Sequence, residues 1–165
     1  MGEPIKYVCD ILQKQLDLAD SQVWIYNEKV NIPNDFNMYI VVDYQGQRII
    51  GNVRREEPTP NGLIERQALH SMAILRLDLF SRGKIARINK DLVIMALNST
   101  YSQQVQEAHG FQIARNSFQV TNTSEVEGTA ELNRYSISFN VTYVTETSKS
   151  ISYYDTFSKE VITEA

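Results

Sequence analysis

The chain has 165 residues, 42% hydrophobic and 22% charged, the proportions of one ordinary globular domain, which argue against intrinsic disorder, collagen-like repeats and coiled coil. A formal charge of −4 and a pI near 5.2 argue against a protein built mainly to grip phosphate backbones, since that task needs a concentrated positive field. The single cysteine, Cys9, cannot close an internal disulfide and falls in an apolar-periodic stretch, where a small buried thiol is expected.

Ile5, Val8, Cys9, Leu12, Leu16 and Ala19 recur at helical spacing and predict a first amphipathic helix. Gln22 to Tyr26 predicts a short strand, and Asn31-Ile32-Pro33-Asn34-Asp35 a loop. The β-prone run at 38–44 and the run at 48–53, separated by Gln45-Gly46-Gln47, predict a hairpin. Residues 54–63 combine charges with Pro58, Pro60, Asn61 and Gly62, which predicts the main internal loop, because proline removes a donor from a central strand.

Leu69, Ala73, Leu75, Leu77 and Leu79 share one phase and His70, Arg76 and Asp78 the other, which predicts a long strand with one buried face. Ile85, Ile88, Leu92, Met95 and Ala96 predict a second amphipathic helix that bends near Asn98-Ser99-Thr100, with Gly110 as its stop. Phe111 to Arg115 alternates as a strand, and a polar segment over 116–131 separates it from Tyr135, Ile137, Phe139, Val141 and Tyr143, which alternate with Ser136, Ser138, Asn140 and Thr142 at an unbroken period of two. From Thr145 onward the chain is rich in Ser, Thr, Lys and Glu yet keeps apolar residues at 151–162, the composition of an arm that docks on something. The expected fold is α+β: a mostly antiparallel sheet with two main helices packed on one face, in a single domain over 1–145, plus a C-terminal arm over 146–165.

Little in the sequence points to catalysis. His70 and His109 have no second imidazole or cysteine at metal-ligand spacing, so neither a metal site nor a catalytic residue is assigned. The glycines are isolated and form neither a P-loop nor a dinucleotide fingerprint, so no cofactor is assigned. Glu56-Glu57 and the cluster Glu125, Glu127 and Glu131 fall in segments read as polar loops, where solvated charge is the plainer reading than general acid–base work. Arg54-Arg55 directly precedes Glu56-Glu57, which nearly cancels the local charge and favours pairing between subunits or within the loop. Tyr153, Tyr154 and Phe157 are left over from the core and are candidates for a partner surface. Trp24 sits in a β-prone run and is expected in the core. The first residues carry no basic region leading into an apolar segment, and no window approaches the ~20 apolar residues of a membrane span. The expectation is a protein made in the cytoplasm and kept or assembled there, away from membranes.

Three stretches taken together resemble the tail-terminator family of tailed bacteriophages, also called neck terminator or tail-completion proteins. They are the run from Lys84 through Met95-Ala96-Leu97-Asn98-Ser99, then Tyr101-Ser102-Gln103-Gln104-Val105-Gln106-Glu107, then Phe111-Gln112-Ile113-Ala114-Arg115. The likeness continues through Asn122-Thr123-Ser124-Glu125-Val126-Glu127-Gly128 and the strand that starts at Leu132, and it covers residues 5–145. It implies a non-enzymatic virion protein, assembled in the host cytoplasm, that forms a hexameric ring on the head-proximal end of the tail tube. There the ring would end tube polymerisation and offer the head–tail joining surface. Its partners would be other copies of itself, the major tail tube protein and the connector or head-completion protein, with DNA passing through the channel without sequence-specific binding. The interface candidates are Arg54, Arg55, Glu56, Glu57, Ser124, Glu125, Glu127, Tyr153, Tyr154 and Phe157. Two other readings stay open: another phage neck component such as a head-completion or joining protein, and a single-strand-binding module using Trp24, Tyr26, Tyr39 and Tyr44.

Overall fold

The structure, a computed structural model, describes residues 4–26, 33–60, 62–127 and 130–151. Its elements in chain order are α1 (Pro4–Leu16), a 3-10 turn (Asp20–Gln22), β1 (Val23–Ile25), β2 (Tyr39–Thr59), β3 (Gly62–Ser81), α2 (Ile85–Leu97), α3 (Thr100–His109), β4 (Phe111–Ile113), β5 (Gln119–Asn122), β6 (Glu125–Glu127) and β7 (Ala130–Ile151). The fold is α+β, and the sheet runs β1-β2-β3-β7-β4, with β5 and β6 also on β7. Only the β1–β2 pairing is parallel among the described strands. No helix among the described residues is long and apolar enough to cross a membrane.

The core follows from period-two alternation read across three strands in register. Ile40, Leu79 and Tyr135 form one row, and Val42, Leu77 and Ile137 the next. All six belong to the buried cluster beneath the helices, which α1 joins through Ile5, Val8, Cys9, Ile11 and Leu12, and α2 through Ala86, Val93 and Leu97. Cys9 is buried as expected. Trp24 is only partly buried and belongs to a separate cluster on the sheet's other face, with Tyr39, Val41 and Phe80.

The two long strands depart most from the sequence expectation. Residues 54–63 are not a loop: β2 and β3 pair from Tyr39–Phe80 to Thr59–Gly62, residue for residue from Gly51 onward, and the chain reverses only between Thr59 and Gly62. Pro58 is tolerated because β2 is an edge strand at that point, and a missing donor on an edge leaves no ladder bond broken inside the sheet. Gly62 takes φ 132°, a conformation open to glycine and costly for a side chain. Nor is there a hairpin at 45–47. The register instead shifts between Tyr44 and Gly46 and again between Ile49 and Gly51, so the extra residues are absorbed as bulges inside one strand.

Three further expectations are corrected. The helical region after Ser81 is two helices, giving three in all among the described residues, because Ser99 turns extended (φ −67°, ψ 161°) and its hydroxyl caps α3 by accepting from Ser102 N. Part of the polar segment 116–131 is strand, as β5 and β6 pair with β7. Residues 146–151 of the expected arm belong to β7 and pair with β3 from Ala68 to Leu63. The rest of that arm, with Tyr153, Tyr154 and Phe157, lies outside the described residues.

The orientation of α2 also differs. Of the residues expected on the apolar face, Ala96 is buried but Ile85, Ile88, Leu92 and Met95 are exposed, while Ala86, Val93 and Leu97 fill the core. This helix carries apolar residues on two faces, and sequence period alone does not choose between them.

Candidate assembly surfaces

Beyond the helices, β2, β3 and β7 continue as a three-stranded blade ending at Thr59, Gly62 and Ile151. The far end of the sheet, where Tyr39, Phe80 and Arg134 pair, is the base. Among the described residues the blade has two open edges. β1 pairs with β2 at Ile40, Val41 and Val42, and from residue 45 to 59 the outer side of β2 has no strand partner among the described residues. On the opposite side β7 carries β6, β5 and β4 as far as Tyr143, and 144–151 has no outer strand partner among the described residues. Among the described residues, the outer backbone donors and acceptors of each stretch have no ladder partner, which is the template for strand addition.

The blade explains where Arg54, Arg55, Glu56 and Glu57 fall. Arg54 Nη2 lies 2.6 Å from Glu56 Oε1 and its Nε 2.9 Å from Glu65 Oε2. Arg66 Nε lies 2.9 Å from Glu57 Oε2 on the other face. The charges therefore pair within the hairpin, along and across its strands, where exposed pairs contribute little to stability. Arg55 stands opposite Arg66, a like-charge neighbour that the Arg66–Glu57 pair offsets.

Ser124 is an architectural residue. Its hydroxyl accepts from Arg134 N at 3.0 Å and donates to Asn122 Oδ1 at 2.6 Å, with Arg134 O 3.2 Å away, which holds the β5–β6 junction against β7. The backbone of Glu125 and Glu127 pairs in β6 with Leu132 and Ala130, and their side chains lie outside what is described. The structure therefore gathers Arg54, Glu56 and Glu57 with Glu65 and Arg66, and does not gather them with Ser124.

The helix-free face of the sheet holds a charged network that sequence reading missed. Asp78 is 2% exposed; it accepts from Arg134 Nη2 at 3.0 Å and from the Ser136 hydroxyl, with Arg76 Nε 3.5 Å away. Arg76 also donates to Asp43 at 2.9 Å. Arg134 covers the Phe80 ring at 5.0 Å, and Trp24 stacks on Tyr39 at 5.2 Å. The Tyr39 hydroxyl donates to Asp35 at 2.7 Å; that bond holds the Asp35 carboxyl below its ordinary value and raises the Tyr39 phenol. The signal for the network was the in-phase spacing of Arg76 and Asp78, but their partners Asp43 and Arg134 come from other strands.

Toward the tip the same face becomes an open trough lined by Val53, Arg55, Glu57, His70, Val144 and Glu146. His109 stacks on Tyr7 with ring centroids 3.8 Å apart. No group of three His, Cys, Asp or Glu among the described residues is gathered as a metal ion would require. No protein-family model matches the chain, and no curated protein matches it.

Proposed function

We propose that this chain is a structural protein of a tailed bacteriophage that caps the head-proximal end of the tail tube as a ring. The cap would stop addition of tube subunits and present the surface that joins the head. The observation that carries this reading is the pair of open edges on opposite sides of one blade. A contact between two different edges is heterologous, and it closes into a ring when the rotation per copy divides the circle. In such a ring β7 of one copy lies beside β2 of the next along 144–151, and the helix-free face, where Arg48, Arg76 and Arg134 are set among Asp43, Asp78 and Glu146, lines the channel. Mixed signs on that wall suit DNA that has to pass without being held. The order of motifs from Lys84 to Phe139, similar to the tail-terminator family, supports the same reading. A single-strand-binding role is less well supported, because Tyr39 is buried and already stacked on Trp24.

The test is to add the protein to growing tail tubes of its phage and examine the tube ends by negative stain. Arrested growth with a ring on one end of each tube is the expected result. Tubes that elongate unchanged would overturn the capping role, and binding to the connector of filled heads under those conditions would assign the chain to another neck component.

A further inference from the structure

We infer that the base of the molecule, centred on the exposed stripe of α2, is a self-complementary seat for a second copy of this chain. The stripe comprises Ile85, Ile88, Leu92 and Met95, which are 37%, 67%, 46% and 65% exposed. Their intervals of three, four and three residues place them along one side of the helix. Phe36, 72% exposed, extends the patch beside Gly83, where a Cβ would meet its ring at 3.4 Å. Scattered exposed apolar side chains are ordinary on a folded protein, but a contiguous run of five marks a contact surface.

Charge selects the occupant. On one side the stripe meets an open groove lined by Leu16, Asp17, Leu18 and Met38, and exposed Asp17 and Asp20 make that border acidic. On the other side exposed Lys84 and Arg87 make the border basic, and Lys90 pairs with the nearby Asp91. A twofold rotation about an axis along the stripe lays stripe on stripe and sets each acidic border against the partner's basic one, as an isologous contact requires. The patch measures roughly 20 Å by 20 Å from the length of α2, about half the ~800 Å² per partner of a standard stable interface. Two single copies therefore pair weakly, and two rings meeting base to base pair far more tightly because several seats engage at once. The pairing does not depend on the capping role; in a ring it closes off one axial face.

The test follows the mass of the full-length protein by sedimentation over a concentration series for the wild type, Ile88→Asp, Arg87→Glu, and Arg87→Glu combined with Asp20→Lys. All of these sites are exposed, and circular dichroism checks the fold. The expected result is a wild-type species that Ile88→Asp splits in half, with the dissociation constant raised about tenfold or more. Arg87→Glu should weaken pairing and the double charge reversal should restore it. If rings form and neither Ile88→Asp nor Arg87→Glu changes their mass, the seat is overturned while the ring reading stands. A two-copy species halved by Ile88→Asp, with no larger assembly, would support the seat and confine the ring to the tube end. A monomer at every concentration would overturn the seat, and the ring would then stand or fall on the tube-end test.

Discussion

At the scale of single residues, Asp78 ties the helix-free face together. Its side chain is almost fully buried and faces Arg76 and Arg134, which stay about one third exposed. Replacing it with alanine leaves two guanidinium groups short of their shared acceptor, so Asp78→Ala should destabilise the fold by about 3 kcal/mol, read by chemical denaturation. Asp35 gives a pH prediction. Its carboxyl lies below the ordinary value because the Tyr39 hydroxyl donates to it. Its contribution to stability is therefore complete above the ordinary carboxylate value and is lost as pH falls through the lowered one. Tyr39→Phe should bring the Asp35 carboxyl back up toward its usual range, which a side-chain carboxyl titration by NMR would detect. Their bond was not legible in the sequence, where Asp35 reads as a turn residue and Tyr39 as a β-prone aromatic and candidate stacking residue; the two acquire this meaning only from each other.

At the scale of elements, α2 separates core from surface within one turn of helix. Leu97 is fully buried and Met95 is 65% exposed. Leu97→Ala should cost about 2–5 kcal/mol and Met95→Ala no more than about 0.5 kcal/mol, measured by denaturant unfolding. Equal losses would mean that the stripe belongs to the core after all. The elements that were legible in advance are those whose pattern has one interpretation: α1 by its 3.6-residue period, and β7 by alternation from Tyr135 to Tyr143. The illegible ones had two. On α2, Ile85 and Leu92 compete with Ala86 and Val93 for the core, and only the neighbouring α1 decides between them. In β2, Gly46 and Pro58 are read locally as breaks, whereas an edge strand absorbs the first as a bulge and tolerates the second without losing an interior bond. The reversal between Thr59 and Gly62 depends on Gly62, and Gly62→Ala should destabilise by about 1 kcal/mol, because its φ of 132° disfavours a side chain.

At the scale of the whole molecule, the blade is the feature that reaches furthest beyond the core. A long unpaired strand edge invites adventitious pairing, and proteins blunt such edges with charges, proline and bulges. The outer edge of β2 carries all three: shifts near residues 45 and 50, the charged stretch 54–57, and Pro58. Between the second shift and the proline the run 51–57 remains, one residue shorter than the open stretch 144–151 of β7. In the proposed ring these devices would confine pairing to that run, which indiscriminate aggregation does not require. Sequence reading found the charges of this region and assigned them to pairing, but it took the region for a loop. Open edges are a property of the assembled sheet, and no single strand reveals which of its sides is left unpaired.

The claim that one copy joins the next through two different edges is tested most directly by the native mass of the full-length protein across a concentration series, alone and with tail tubes added. The account predicts a closed species of about six copies of 18.9 kDa, or a base-to-base pair of such rings, formed in solution or on the tube end. A species that never exceeds one or two copies, with or without tubes, would contradict it.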